Sequence, residues 1–274
     1  MTPSKKAENI WKLSGLGSAA GPGELEIQDA NLEIKQGDRV AILCEKPSTR
    51  SLLLRILAGL RPVRIGSLEI FERKTRKLEF FEDWDQIFQR SVRQKLGVCL
   101  EIEGLVSNVS VREGMELLYR FKSGHESGRS RTQVAEQVQK TCDLFEISNI
   151  QEKRPFMLTT SERRLAGIAR AWVSEPETLL LEEPTRGLNE KYRKILWRVF
   201  QNILSSPEQT LVASTDDWIF AHAFCTRWIV FENSRIVFDG KPSDFFKGKF
   251  EILNEVRELK ELRGLLDGLL GEIA

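Results

Sequence analysis

The chain has 274 residues, 41% hydrophobic and 30% charged, with a formal net charge of +1. That length holds one large α/β domain, or such a domain with a small lobe, and the composition is that of a globular protein. A charge so near zero gives no electrostatic case for nucleic acid as a partner, because domains that bind it carry a basic surplus. No apolar run approaches the length of a spanning helix, and residues 1–15 have no apolar signal core. A cytoplasmic chain is therefore expected, any membrane role passing through a protein partner. Cys44, Cys99, Cys142 and Cys225 are widely spaced, and three of them sit in apolar runs, so reduced core thiols are expected. Two histidines, His125 and His222, argue against a histidine-rich metal site.

Residues 1–8 read as a loose terminus. Strands are expected at 9–13 and 24–34, the second alternating Leu25 and Ile27, then Leu32 and Ile34. The Gly/Ala/Pro-rich stretch 15–24 is the turn between them, and Trp11 reads as packing. Gly37 opens a buried strand that ends at Leu43. Cys44-Glu45-Lys46-Pro47-Ser48-Thr49-Arg50-Ser51 follows, then a helix over 52–60. Strand, loop and helix at this spacing form the layout of the phosphate-binding loop G-x-x-x-x-G-K-[ST]. Spacing sets Cys44 at the first Gly, Thr49 at the second, Arg50 at the Lys and Ser51 at the hydroxyl that meets magnesium.

Such a loop aims backbone N–H groups at phosphate from a helix N-terminus. Its glycines take positive φ angles that cost other residues roughly 1–2 kcal/mol each. This loop has no glycine, and Pro47 deletes one donor. Arg50 brings a planar fork where the pattern has a compact ammonium. Two readings stand. The segment is a plain strand–helix connection, or it is a weak, degenerate nucleotide site built from Cys44, Lys46, Ser48, Thr49, Arg50, Ser51 and Leu52.

Short strands are expected around 66–71 and 96–100, separated by a charged, partly helical segment with Phe80, Phe81, Trp84, Ile87 and Phe88. Residues 110–148 read as helices, broken by a polar connector at 122–131. The stretch 158–189, LTTSERRLAGIARAWVSEPETLLLEEPTRGLN, organises the rest. Leu165, Ile168, Ala169 and Trp172 recur at helical spacing over 161–172, with Thr160 or Ser161 as N-cap and Glu162 in the first turn. The run Thr178-Leu179-Leu180-Leu181 ends in Glu182 and Glu183. It suits a strand buried on both faces of a parallel sheet, whose C-terminal end is where α/β folds place ligands. A helix near 190–204, a strand at 210–215, a helix from Trp218 capped by Asp216, and a hairpin at 227–240 complete the domain. Beyond Pro242 a helix over about 252–273 carries a leucine-rich stripe that needs a partner surface, on its own domain or on a second chain.

The string 158–189 resembles the core of the ATP-binding cassette (ABC) ATPases, and the likeness extends over roughly residues 9–245. The resemblance implies an α/β, P-loop NTPase-like fold: a mixed sheet core with an antiparallel β part, a helical lobe at about 102–160, and a C-terminal helical extension at 246–274. It implies ATP and Mg as cofactors if nucleotide binding is retained. Implied partners are transmembrane permease subunits and a second cassette, as a homodimer or as a heterodimer with a competent ABC ATPase. Leu158, Thr159, Thr160, Ser161 and Glu162 stand at the family's signature loop, and Leu188 and Asn189 at its D-loop. Glu101 takes the place of a glutamine that touches the metal, and Asp216 that of the switch histidine. Glu183 fits the general base, and Ser51, Glu101 and Glu182 would be the magnesium set.

The chemistry departs from the family pattern where the frame does not. Thr160 and Ser161 replace the paired signature glycines, and Glu182 replaces a shorter aspartate. Asp216, when ionised, has no proton to donate to phosphate. Losing cradle, signature and γ-phosphate contact together removes the terms that dominate phosphoryl transfer. The expected function is a degenerate nucleotide-binding subunit, a pseudo-ATPase that docks on membrane permeases. A functional ABC ATPase subunit and a soluble scaffold or regulator stand as alternatives.

Overall fold

The computed structural model describes residues 9–246 except 20, 22, 45, 72, 75–85, 102–103 and 124–129. The terminus 1–8, the aromatic residues Phe80, Phe81 and Trp84, and the helix expected over 252–273 lie outside the described residues.

Two sheets carry the domain. The larger has six strands: β3 (Arg39–Cys44), β6 (Leu96–Cys99), β7 (Thr178–Glu182), β8 (Thr210–Ser214), β9 (Arg227–Glu232) and β10 (Arg235–Gly240). Their spatial order is β10-β9-β3-β8-β7-β6. The run from β9 to β6 is parallel, and β10 returns antiparallel to β9. The smaller sheet is antiparallel, ordered β2-β1-β4-β5 from β1 (Asn9–Ser18), β2 (Ile27–Lys35), β4 (Ile65–Ile70) and β5 (Arg73–Lys74). The Gln28 N–H donates to the Ser234 carbonyl at 2.8 Å and ties the two sheets together.

Burial explains why β3 and β7 read as continuous apolar runs. Val40 and Ile42 of β3 join the core under the small sheet, with Trp11, Ile34 and Phe231. Ala41 and Leu43 point to the opposite core, with Phe200, Phe220 and Trp228. A strand covered on both faces has no polar side. Trp11 is fully buried, and its indole N–H donates to the Leu57 carbonyl at 2.9 Å. It thereby satisfies one of the orphan acceptors at the end of helix α1 (Pro47–Leu57). All four cysteines are buried thiols.

The remaining helices are α2 (Gln86–Lys95), α3 (Val111–Ser123), α4 (Arg131–Leu144), α5 (Thr160–Trp172), α6 (Glu190–Ile203), α7 (Trp218–Phe224) and the short α8 (Pro242–Phe245). None of the described helices is long and apolar enough to cross a membrane. The hairpin turns at Asn233 and Ser234, both at positive φ.

Four expectations need correction. The turn predicted from residue 15 begins later: β1 continues to Ser18, because Gly15, at φ +57°, is absorbed as a bulge where the register with β2 shifts. Helix α1 starts already at Pro47, not at Leu52, since proline fits the first helical position without losing a bond. Thr159, not Thr160 or Ser161, caps α5, in a capping box with Glu162. Asp217, not Asp216, caps α7 by accepting from the Phe220 N–H at 2.9 Å.

Two glycines test this packing with opposite signs. Gly66 lies at φ +78°, and a Cβ there would fall 2.3 Å from the Gly15 carbonyl oxygen. Gly66→Ala is expected to lower unfolding free energy by about 2–4 kcal/mol. Gly114, inside α3, has only Val109 near, at 3.9 Å. Gly114→Ala is expected to raise it by about 0.5–1 kcal/mol. Urea midpoints of both variants check the pair.

Candidate functional site

The C-terminal ends of β3, β7 and β8 open onto a cleft of about 190 Å³. Pro47, Ser48, Arg50 and Ser51 of α1 line one side, and Glu101, Glu182, Glu183, Arg186 and Ser214 line the other. This is the strand end where α/β sheets hold ligands, but the volume falls below the roughly 300–1,000 Å³ of ordinary ligand clefts.

Arg50 reaches across this cleft to the strand end. With α1 starting at Pro47, Arg50 lies one turn in and folds its guanidinium back over the helix start. Nη1 donates to the Cys44 carbonyl at 2.8 Å, and Nη2 meets Glu183 Oε1 at 2.6 Å. Arg50 is 4% exposed and Glu183 3%. The other Glu183 oxygen accepts from the Asp216 N–H at 3.3 Å and the Thr215 hydroxyl at 3.5 Å. Burial pushes the Glu183 carboxyl up to about 6; Arg50 and Arg186 pull against it, and Asp216 adds to it. Glu183 itself sits at φ +47°, a left-handed conformation disfavoured for a residue with a Cβ.

A second, more open network surrounds this pair. Arg186 meets Glu101 at 2.7 Å, Asp216 at 3.4 Å and Glu183 at 3.5 Å. Glu182 accepts the Glu101 backbone N–H at 2.9 Å, so one of its oxygens is already engaged. The Ser51 hydroxyl accepts from Arg55 Nε at 3.0 Å. Ser214 is fully buried, and its hydroxyl has no hydrogen-bond partner among the described residues.

The predicted site residues therefore divide. Ser48, Arg50, Ser51, Glu101, Glu182 and Glu183 share the cleft, with Asp216 at its rim. Lys46 is exposed at the helix N-cap, Leu52 is core, and Thr49 is buried with its hydroxyl on the Glu26 carbonyl at 3.3 Å. Cys44 contributes its carbonyl to Arg50. The signature residues Leu158, Thr159, Thr160, Ser161 and Glu162 do not line the cleft. Ser161 instead donates to the Gly187 carbonyl at 2.8 Å and accepts from the Asn189 N–H at 3.0 Å, so the start of α5 and the turn before α6 close on each other within one chain. Leu188 is buried beside them, and Asn189 caps α6 through the Tyr192 N–H. Glu162 is held below the usual carboxylate range, chiefly by the Thr159 N–H.

Sequence reading missed Arg164, Arg186, Ser214 and Asp217. Arg186 follows Glu183 by three residues in a tight turn, a spacing that hinted at the pair. Asp217 joins three elements, accepting from Thr185 at 2.8 Å and Arg193 at 2.9 Å besides capping α7. No sequence signal pointed to Ser214.

The raised Glu183 carboxyl has a stability consequence. A folded value of about 6 against the ordinary 4.5 means that the folded state binds more protons between these two pH values. The stabilisation is then fully present below about 4.5 and declines as pH rises through about 6, by about 2 kcal/mol in all. Unfolding free energies of the wild type and Glu183→Gln from pH 4 to 7 should show their difference moving against the wild type by that amount. A difference that grows in favour of the wild type with pH would mean that Arg50 outweighs burial.

The family described as ABC transporter matches residues 27–186. Over 222 residues the chain is 29% identical to the sulfate/thiosulfate import ATP-binding protein CysA of Mesorhizobium japonicum, a match spanning 80% of this chain and 60% of that one. It is 25% identical over 276 residues to the Nod factor export ATP-binding protein I of Cupriavidus metallidurans, with 98% and 82% covered. The ATP-binding cassette MJ0796, solved as a dimer in a post-hydrolysis state with ADP and Pi, superposes with a TM-score of 0.75 at 22% identity, covering 85% of this chain and 98% of that one. The match to the ABC transporter family spans more than half of this chain, and the chain belongs to the ABC transporter ATP-binding family.

Proposed function

We propose that the chain is a degenerate nucleotide-binding subunit of an ABC transport system, a pseudo-ATPase that docks on membrane permease subunits. On this reading it is cytoplasmic, held at the inner membrane through protein contacts, and paired with a second cassette as homodimer or heterodimer. The carrying observation is Arg50, whose buried guanidinium takes the Cys44 carbonyl and the Glu183 carboxylate where a bound phosphate would need open space.

The described residues do not fit a magnesium–triphosphate. Pro47 supplies no N–H, and the cleft, at about 190 Å³, lies below the usual range of ligand pockets. The carboxylates Glu101, Glu182, Glu183 and Asp216 outnumber the arginines Arg50 and Arg186, and together they repel an anion. The competing reading, a working ATPase, has Glu183 in its favour. Its carboxyl is retained at the general-base position and raised toward neutrality.

Calorimetric titration of the purified full chain with MgATP to millimolar concentration decides between them. No saturable heat is expected. A dissociation constant near or below ~0.1 mM, about 5 kcal/mol of binding, would overturn the pseudo-ATPase, and a turnover assay of Glu183→Gln would then ask whether Glu183 is the base.

A further inference from the structure

We infer that Arg164 is a positioning residue: from α5 it holds the turn that aims Glu183 at Arg50, and so ties α5 to α1 without any nucleotide. Arg164 lies two positions after Glu162, the partner of Thr159 in the capping box, and is 3% exposed. Its Nε donates to the Glu183 carbonyl at 3.1 Å. Nη1 donates to the Leu100 carbonyl at 2.9 Å and the Glu101 carbonyl at 3.3 Å. Nη2 donates to the carbonyls of Glu182 and Glu183. One planar fork thus gathers four carbonyls from the ends of β6 and β7.

The choice of partners shows what this cation does. Its hydrogen bonds go to backbone oxygens, with the Cys99 sulfur at 4.0 Å beside them. A buried guanidinium on a carboxylate neutralises a charge, whereas one spread over carbonyls fixes backbone geometry. The backbone it fixes is the one that needs holding, because Glu183 is at φ +47°. The Glu183 N–H donates to the Ser214 carbonyl at 2.8 Å, and the Arg186 N–H donates to the Glu183 carbonyl at 3.1 Å. Arg164 adds its donors to that same carbonyl. With the main chain pinned there, the carboxylate reaches Arg50 at 2.6 Å. Arg50 and Arg164 come from different helices, grip the side chain and the main chain of one residue, and are not bonded to each other. A lysine lacks the fork needed to span both strand ends.

The inference shares Glu183 with the proposed function, but its test runs without nucleotide, so MgATP binding would sink that reading and leave this one standing. The test reads the Arg50 guanidinium resonances and the amide exchange of Glu183 and Asp216 by NMR, in full-length wild type, Arg164→Gln and Arg164→Lys. In the wild type the Arg50 guanidinium protons should be protected. In Arg164→Gln, with circular dichroism unchanged, those signals should vanish and both amides should exchange at least tenfold faster. Arg164→Lys should fall between, since one ammonium reaches the carbonyls of a single strand end. Folded Arg164→Gln with intact Arg50 signals and exchange within twofold of wild type would overturn the inference, as would faster exchange spread evenly along α5 while Arg50 stays protected. Should Arg164→Gln fail to fold, Arg164→Lys decides alone, and Arg50 signals identical to the wild type would be the adverse result.

Discussion

The Arg50 guanidinium and the Glu183 carboxylate meet at 2.6 Å in a place with almost no access to water. Taking both charges out of solvent is costly, and leaving either without the other costs about 3–5 kcal/mol. Much of the surrounding geometry follows from that constraint. The Cys44 carbonyl turns toward Arg50, the Asp216 N–H and the Thr215 hydroxyl turn toward Glu183, and the Glu183 backbone adopts a left-handed conformation that positions its side chain. Arg186 and Glu101 then form a more exposed ring of opposite charges around the pair.

This arrangement suits the sequence of the loop that precedes α1. A cradle of backbone donors needs residues free to take positive φ, and glycine is the residue that does so without strain. The connection here enters an ordinary helix with proline at its first turn and lets a side chain, not main-chain N–H groups, meet the strand ends. Loss of glycine, gain of proline and the change to arginine are consistent with one another. Each favours a closed, self-bonded strand–helix junction.

Much of the frame was legible from periodicity. The apolar run at 178–181 suited a strand covered on both faces, and α5 announced itself through three- and four-residue spacing. The failures have local physical causes. Adjacent candidates for a cap, Thr159 with Thr160 or Asp216 with Asp217, differ only in which side chain reaches the third N–H of the helix, and tertiary placement decides that. Gly15 carries the same turn signal whether it ends a strand or bulges within one. The three arginines of the site were harder still. A long side chain can end many ångströms from its Cα, so the short spacing of Arg186 from Glu183 hinted at one pair, but nothing in the positions of Arg50 and Arg164 foretold that they would converge on Glu183 as well.

The capping box at the start of α5 bears on any second cassette that approaches that face. A helix N-terminus normally presents partial positive charge and unsatisfied donors, which is what makes it receptive to phosphate. Here the Glu162 carboxylate already takes the Thr159 N–H and the Thr159 hydroxyl, and the Thr159 side chain takes the Glu162 N–H in return. The end of the helix has become its own counterion. A phosphate group approaching this surface would meet the Glu162 carboxylate, already engaged with Thr159, ahead of the helix's own N–H groups.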